Sequence, residues 1–315
     1  MYFNISTLFS KPQTKAYQYT KLRNFWKSGK FFSFLGKKTY LCTNFNMKKM
    51  QKVILITGAS SGFGRETAHL LAQKGHIVYG TSRKPLEDPL INTLHVDVRQ
   101  PETIQVAVNQ ILEKEGRIDV LINNAGMGIG GSIELATEEE VQLQMGTNFF
   151  GMTNVCKCVL PVFRKQRSGK IINLSSIGGV MGLPYQGYYS ASKFAIEGYS
   201  EALAAEVKGF GISVSLVEPG DFATNFTASR KNSEATLNDP DYGESFRRSL
   251  SLIEKEENGG LKPVVLAKKI CKIVDTGKPK FRYVVANFEQ KLSVLLKKIV
   301  SGNMFIGILR DYYKV

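Results

Sequence analysis

Tyr189 and Lys193 stand four positions apart in the stretch YYSASKFAIEGYSEALAAEV, which has the apolar spacing of an amphipathic helix. Four residues make about one helical turn, so the phenol and the ammonium project from one face. A nearby cation favours phenolate and is expected to lower the tyrosine pKa from about 10 toward neutrality, where the group acts as a general acid or base. Ser176 lies thirteen residues before Tyr189, in KIINLSSIGG. The spacing indicates a proton-transfer site, although such a pair also occurs by chance, as Tyr17 and Lys21 illustrate.

A glycine-rich turn lies close to position 60. After Met50 the chain reads QKVILITGASSGFGRETAHLLAQKG, which predicts a short apolar strand over residues 53–56, then a turn with Gly58, Gly62 and Gly64, then an amphipathic helix. Glycines allow the positive backbone angles of such a turn and a close approach by pyrophosphate, which N–H groups at the helix start would bind. The GxxxGxG spacing therefore indicates a phosphate-binding loop, with a tight turn that binds no ligand as the alternative.

Three further apolar runs end in loops of polar residues and glycine. They are LHVDV, ending near Asp97, VLINNAG, ending at Gly126, and VSLVEPGDFAT, which carries Pro219. In open α/β sheets the ligand crevice lies at the carboxyl ends of the strands. These loops are therefore expected to converge on one cofactor.

In this order the motifs resemble those of the short-chain dehydrogenase/reductase family in its single-domain form, over roughly residues 51–228. The resemblance implies a catalytic tetrad of Asn148, Ser176, Tyr189 and Lys193. Tyr189 would deliver a proton to a carbonyl oxygen that Ser176 holds, while Lys193 would bond the nicotinamide ribose and Asn148 would anchor a proton-relaying water. Ser175 is the competing serine, but the thirteen-residue interval and strand alternation favour Ser176.

The resemblance also implies a set of cofactor contacts, in which Asp97 would accept a hydrogen bond from the adenine amino group. The full set is Gly58, Ser60, Ser61, Gly62, Phe63, Gly64, Ser82, Arg83, Asp97, Val98, Asn124, Ala125, Gly126, Tyr189, Lys193, Pro219, Gly220, Phe222 and Thr224.

The choice of cofactor is expected to depend on the end of the second strand, HIVYGTSRKP. Enzymes that select NAD usually present an acid there, whereas this chain has Ser82 and Arg83. A guanidinium can grip a 2′-phosphate bidentately, so NADP(H) is the expected cofactor, with Lys84 as a helper. Many NADP-using relatives carry a second basic residue where this chain has Ser61, and Arg83 as an ordinary solvated charge is the alternative.

The fold expected from the whole pattern is α/β, a Rossmann-type doubly wound parallel sheet of about seven strands with helices on both faces. Apolar runs of strand length alternate with helical periods over residues 102–115, 138–165 and 188–207. Pro161 should kink or end the second of these helices. The interval from Arg83 to Asp97 is short, so the helix expected there should be reduced to a turn.

The formal charge of +15 is concentrated in the first fifty residues, which contain ten Lys or Arg and no acid. Beyond them stand 32 basic against 27 acidic residues, a net charge of only +5. Residues 1–50 are interpreted as a basic extension, either disordered or not part of the native product, since Met47 and Met50 stand just before the first strand. Residues 51–315 are expected to form a single catalytic domain that binds NADP, and no nucleic-acid partner is expected.

Substrate recognition is expected from a polar, loop-like lid over residues 221–260 and from apolar walls. The substrate-binding residues proposed are Met127, Ser176, Ile177, Tyr185 and Tyr189, with further walls from Met181, Pro184 and Phe222. The resemblance implies reversible reduction of a ketone or aldehyde to an alcohol, and this mostly apolar set favours a small hydrophobic substrate. A 3-oxoacyl thioester reductase of the same family and a non-catalytic nucleotide-binding regulator remain the alternatives.

The tail over residues 286–315 has apolar residues at helical spacing with lysines interleaved, so it should cover the core, form a subunit contact or touch a membrane surface. A homodimer or homotetramer is expected from the resemblance. No transmembrane span is expected, and the predicted location is cytoplasmic. Four cysteines and three histidines without ligand spacing predict no metal site.

Overall fold

The structure of the protein is a computed structural model, and it describes residues 51–315. The proposals made above for residues 1–50 lie outside the described residues, as does Cys42.

The strands form a large sheet and a small one. Their bounds are β1 Val53–Ile56, β2 Ile77–Ser82, β3 Asn92–His95, β4 Val120–Asn123, β5 Ile129–Gly130, β6 Gly169–Leu174, β7 Ile212–Pro219, β8 Lys231–Asn232 and β9 Arg282–Val285. The large sheet has seven strands in the order β3-β2-β1-β4-β6-β7-β9, and each neighbouring pair is parallel. Strands β5 and β8 pair separately. The predicted seven-stranded, doubly wound sheet is confirmed.

Helices cover both faces of the large sheet. Their bounds are α1 Gly62–Gln73, α2 Pro101–Glu115, α3 Glu138–Met145, α4 Gly151–Gln166, α5 Gly187–Val207, α6 Asn225–Ser229, α7 Glu234–Asn238, α8 Gly243–Asn258, α9 Pro263–Asp275, α10 Phe288–Ile299 and α11 Gly302–Tyr313. All four residues of strand β1 are buried. Successive side chains of a strand point in opposite directions, so both faces of the sheet are covered at β1. Val53 and Leu55 pack with α2, α4 and α5, whereas Ile54 and Ile56 pack with α1 and α9.

The long helix expected over residues 138–165 is interrupted. A single π-helical turn, Gly146–Phe150, separates α3 from α4 and contains Asn148. Pro161, expected to kink or end this helix, lies inside α4, which continues to Gln166. Because Pro161 is on the exposed side, water can satisfy the carbonyl left without a partner. Between β2 and β3 the chain forms only turns, as the short interval predicts.

The polar stretch 221–260, expected to be loop-like, contains α6, α7, α8 and β8. The physical reason is visible in α8, whose buried residues Phe246, Ser249 and Ile253 recur at helical spacing while charged residues fill its outer face. The high polarity of the segment therefore reflects amphipathic helices rather than a loop.

The tail over residues 286–315 is helical, as predicted, and packs against the loop that follows β6. Asn287 caps α10 by accepting a hydrogen bond from the Gln290 N–H at 2.9 Å. Val294 of α10 and Phe305 of α11 are buried in one cluster with Ile177. The two terminal helices therefore complete the core beside the loop that follows β6.

Candidate active site

The tyrosine and lysine are both held by α5, one turn apart. Lys193 is buried, and its Nζ lies 5.8 Å from the centroid of the Tyr189 ring. The same Nζ donates a hydrogen bond to the carbonyl of Leu174, the last residue of β6, at 2.9 Å. Tyr189 lines the main cavity. The centroid of its ring lies 6.0 Å from that of Phe226 in α6. Helix α5 thus presents a phenol and a fixed cation to one cavity.

Ser176 joins the same cluster from the end of β6. It begins the 3-10 turn Ile177–Gly179, and its Oγ accepts a hydrogen bond from the Gly178 N–H at 3.0 Å. Ser176 also hydrogen-bonds Tyr189. The hydroxyl of the competing Ser175 is buried close to Gly179. A Cβ added to Gly179 would lie 2.5 Å from Ser175 Oγ. The contact with Tyr189 therefore favours Ser176 as the functional serine.

Asn148 ties the catalytic helix to the loop after β4. Its Oδ1 accepts from the Met127 N–H at 2.8 Å, and its Nδ2 donates to the Met127 carbonyl and to Ser192 Oγ, both at 3.0 Å. Ser192 is the neighbour of Lys193 on α5. The π-helical turn that carries Asn148 is a feature often found at functional sites, and it aims the amide at Met127 instead of along the helix.

The electrostatic balance at Tyr189 differs from the expectation. Burial raises the pKa of Tyr189 to about 12, and the hydrogen bond from Ser176 opposes this rise without cancelling it. Burial also lowers the pKa of Lys193 to about 8, with Glu197 opposing the shift. The predicted lowering of the phenol pKa by Lys193 is not seen in this structure, because desolvation is the largest influence on the pKa of Tyr189.

The glycine loop is built as the sequence predicts and is braced by residues beyond it. Gly58 and Gly62 have positive φ angles of 68° and 54°, and a Cβ on Gly64 would lie 2.1 Å from the Gly58 carbonyl oxygen. Thr57, which was not proposed as a site residue, accepts from the N–H groups of Asn124 and Ala125 at 3.0 Å.

Asn124 has a bracing role as well. Its Nδ2 donates to the carbonyls of Thr57 and Gly58 at 2.9 Å. Asn124 and Gly126 also line the cavity, and a Cβ on Gly126 would come within 3.4 Å of Asn148 Oδ1. The loop after β4 thus supports both the glycine turn and the catalytic cluster.

Ser82 and Arg83 lie where β2 ends. Ser82 Oγ accepts from the Lys84 N–H at 3.2 Å, which shapes the turn, and the Arg83 and Lys84 side chains are exposed. Asp97 is engaged by Arg99, whose guanidinium donates to both carboxylate oxygens at 3.1 and 2.6 Å. These hydrogen bonds hold the pKa of Asp97 below its usual value.

The remaining proposed cofactor residues fall into three groups, which are buried, lining the cavity, or exposed. Val98 is buried against Gly151, where an added Cβ would lie 2.5 Å from Val98 Cγ2. Pro219, which ends β7, lines the cavity together with Phe63 and with Gly220, Phe222 and Thr224, which follow the strand. The Phe63 and Phe222 rings meet edge to face at 5.0 Å. Ser60 and Ser61 are exposed at the start of α1.

The cavity in front of Tyr189 has a volume of about 250 Å³. Of the proposed substrate residues, Met127, Ile177, Ser176 and Tyr189 line it. Tyr185 does not. It has a positive φ of 56°, its ring packs against Phe246 at 5.1 Å, and its hydroxyl bonds Ser245.

Sequence reasoning missed much of the cavity wall. The terminal helices contribute apolar and aromatic side chains, which their helical spacing signalled without showing where they pack: Leu296, Phe305, Ile308, Leu309, Tyr312 and Tyr313. Four acids also line the cavity: Asp221, Glu256, Glu257 and Glu289. Lys193 is the cation among the lining residues.

Asp221 is the most perturbed of these acids. Burial raises its pKa to about 6, with Glu257 and Glu256 adding to the rise and the hydrogen bond from Gln290 opposing it. Glu257 is itself paired with the buried guanidinium of Arg230 and accepts from Thr227 Oγ1 at 2.6 Å. The cavity therefore combines apolar walls with concentrated negative charge.

The fold and this site define the class of protein. The chain belongs to the short-chain dehydrogenase/reductase family of oxidoreductases, since the family model described as short chain dehydrogenase matches residues 52–235. It is 58% identical over 265 residues to the 3-ketodihydrosphingosine reductase of Bacteroides thetaiotaomicron, covering 84% of this chain and 98% of that protein.

Solved structures agree with this assignment. A short-chain dehydrogenase from Streptomyces avermitilis matches with a TM-score of 0.71 and 33% identity, covering 84% of this chain and 97% of that one. The structure of ElxO with NADP bound matches with a TM-score of 0.61 and 28% identity, covering 75% and 96%.

The residues present fit the nicotinamide dinucleotide that this family uses. A Cβ on Gly62 would meet nothing closer than Thr224 Cβ at 4.0 Å, so a ligand can approach the backbone there. Ser61 makes no side-chain cap at the start of α1, which leaves the first N–H groups of the helix available to a phosphate.

Within residues 51–315, no helix is long and apolar enough to cross a membrane.

Proposed function

We propose that the protein is an NADPH-dependent ketone reductase whose substrate is a long-chain 2-amino ketone of the 3-ketodihydrosphingosine type. The observation that carries this proposal is the 58% identity to a 3-ketodihydrosphingosine reductase over almost the whole of that protein. Such a substrate joins an alkyl chain to a ketone with a primary ammonium on the adjacent carbon, so its site needs apolar walls, a proton donor and negative charge.

The cavity supplies all three kinds of group. Leu296, Phe305 and Leu309 of the terminal helices offer an apolar wall for the alkyl chain. Asp221 lies in the same wall and is mostly ionised at neutral pH, because its pKa is about 6. We assign Asp221 as the partner of the substrate ammonium, with Glu256 and Glu257 adding to the negative potential.

Proton delivery is the task of Tyr189. When bound, the nicotinamide supplies the hydride for the carbonyl carbon. Tyr189 donates its phenolic proton to the carbonyl oxygen, and its pKa of about 12 keeps that proton in place at neutral pH. Ser176 accepts from Gly178, and the hydroxyl proton that it directs at Tyr189 can turn to the carbonyl oxygen of a bound substrate and orient it. The nearby ammonium of Lys193 stabilises the phenolate that remains.

The acids also weigh against the alternative of a 3-oxoacyl thioester. A carrier-linked or coenzyme-linked thioester brings phosphate groups, and negative charge from Asp221, Glu256 and Glu289 would repel them. A non-catalytic regulator would not need the hydrogen-bonded pair of Tyr189 and Ser176, which this structure retains.

The test is a comparison of carbonyl substrates with NADPH, followed by nicotinamide absorbance. The amino ketone, its N-acetylated form and the 3-oxoacyl thioester of matched chain length would be compared. Loss of the ammonium should lower kcat/KM by about tenfold or more, the value of one charge-assisted hydrogen bond. Turnover of the thioester but not of the amino ketone would refute the proposal.

Selection of NADPH over NADH is assigned to Arg83. Arg83→Asp should lower the ratio of kcat/KM with NADPH to that with NADH by about tenfold or more, because it removes a phosphate partner and adds repulsion. Lys84→Asp, one residue farther along the same exposed turn, is the matched control and should have a smaller effect. An unchanged ratio in Arg83→Asp would show that another group selects the cofactor.

A further inference from the structure

The two terminal helices carry most of the exposed apolar surface of the described chain. Fifteen large apolar side chains are exposed within residues 51–315, and nine of them belong to residues 288–315. Exposed apolar residues scattered singly need no explanation, but a concentration of this kind marks an interaction surface.

The exposed residues of α10 form one stripe. They are Phe288, Leu292, Leu295 and Ile299, with exposed fractions of 78%, 42%, 52% and 70%. Their spacing of three and four residues places them on one side of the helix. Exposed lysines precede two of them directly, Lys291 before Leu292 and Lys298 before Ile299. An apolar stripe flanked by lysines is the pattern of a helix lying in a membrane interface.

Helix α11 carries a second row of exposed apolar residues and connects it to the cavity. Met304, Ile308 and Tyr312 are exposed at four-residue spacing, and Val315 follows three residues later. Ile308 and Tyr312 also line the cavity in front of Tyr189. The exposed apolar surface is therefore continuous with the entrance to the active site.

We propose that α10 and α11 form a docking surface for an anionic lipid bilayer, on which the cavity mouth opens toward the lipid. The proposal of a docking surface depends only on the exposed apolar residues of these two helices. That a lipid substrate enters through it rests on the proposed function.

Charge distinguishes the bilayer from a second copy of the chain. Residues 288–315 contain five basic side chains, Lys291, Lys297, Lys298, Arg310 and Lys314, against the acids Glu289 and Asp311. A two-fold contact would bring this basic surface against itself, at an electrostatic cost. Anionic head groups offer the opposite charge, while the acyl region takes up the apolar side chains.

The test is co-sedimentation of the full chain with vesicles of phosphatidylcholine, with and without phosphatidylglycerol, in the absence of cofactor and substrate. Wild type should bind the mixed vesicles, and Leu295→Gln/Ile299→Gln should lower the partition coefficient by about tenfold or more. Val106→Gln/Ile133→Gln is the matched control, since Val106 and Ile133 are exposed to 56% and 63% elsewhere on the surface. It should bind like wild type.

Wild type and both variants carry the same ten basic residues among the first fifty. A difference in vesicle binding between them therefore cannot come from those residues. Salt that screens charge should weaken wild-type binding without abolishing the difference between the variants. Failure of wild type to bind either vesicle, or equal binding by Leu295→Gln/Ile299→Gln, would overturn the proposal. A wild-type oligomer that this variant dissociates, without vesicle binding, would assign the surface to a contact between copies instead. Vesicle binding is independent of turnover, so failure of the proposed function would be seen separately.

Discussion

Tyr189 retains its proton across the neutral range, because burial raises its pKa to about 12. A phenol in this state is ready to act as an acid, which suits ketone reduction better than alcohol oxidation. Lys193, with a pKa of about 8, is the group nearby that changes charge close to neutrality. In this pair, Tyr189 is therefore the proton donor and Lys193 is the cation that titrates.

Removal of the phenolic hydroxyl tests this division. Tyr189→Phe should lower kcat for ketone reduction by about a hundredfold or more, since proton delivery is lost. NADPH affinity, measured by fluorescence titration, should change little. Tyr188→Phe is a natural control, because the neighbouring tyrosine does not line the cavity. Near-normal turnover by Tyr189→Phe would contradict the assignment.

The pH dependence of kcat/KM should be bell-shaped for the amino ketone. Below about pH 6 Asp221 gains a proton and no longer attracts the ammonium, so the rate falls as pH falls. Above about pH 8 Lys193 loses its proton and its stabilisation of phenolate, so the rate falls as pH rises. Profiles of initial rate against pH would measure both limbs.

Asp221→Asn should abolish the acid limb and lower kcat/KM at neutral pH, whereas Asp241→Asn, at an exposed acid remote from the cavity wall, should preserve the bell. The N-acetylated substrate should also lack the acid limb in the wild-type enzyme. An acid limb that persists in Asp221→Asn would assign it to another group.

At the scale of elements, the glycine loop depends on a close approach that only Gly64 permits. Gly64→Ala places a Cβ 2.1 Å from the Gly58 carbonyl oxygen, so the turn must open. The expected result is a loss of about 2 kcal/mol or more in the free energy of unfolding, together with weaker NADPH binding. Urea unfolding and cofactor titration would measure the two effects.

Gly198→Ala on α5 is the matched control, because nothing lies within 4 Å of the added Cβ. It should stabilise the protein by about 0.5–1 kcal/mol through helix propensity. Equal stability of the two variants would show that the loop does not need the close approach at Gly64.

Prediction of elements succeeded where periodicity is local and failed where polarity misled. Helix α5 was predicted to within one residue, because its apolar positions recur regularly over a long stretch. Helix α8 was interpreted as loop, because its one buried stripe is narrow and its other positions are charged. The π-helical turn at Asn148 could not be predicted, since the weak helix formers in GTNFF do not specify which kind of irregularity they produce.

At the scale of the whole molecule, Gln51–Val315 is a compact unit. Among the described residues, it contains the catalytic cluster and the three core clusters. A chain that begins at Met50 should therefore fold alone, with kcat/KM within about twofold of the full chain and a similar Tm. Steady-state kinetics and thermal unfolding of both forms would check this expectation. A large loss of Tm in the shorter form would show that the extension contributes to the fold.

The order of motifs in the sequence determined the family, the parallel sheet and the tetrad of Asn148, Ser176, Tyr189 and Lys193 as candidates. The parallel sheet and the glycine turn follow from short-range rules, namely strand and helix periods and glycine geometry. The tetrad as a whole came from the resemblance of the motifs to the family. Only the tertiary structure decided that Tyr185 turns toward α8 and that desolvation is the largest influence on the pKa of Tyr189. It also decided that four acids from distant segments share one cavity under the terminal helices. Those outcomes depend on how far the chain folds back on itself and excludes water, which no local pattern specifies.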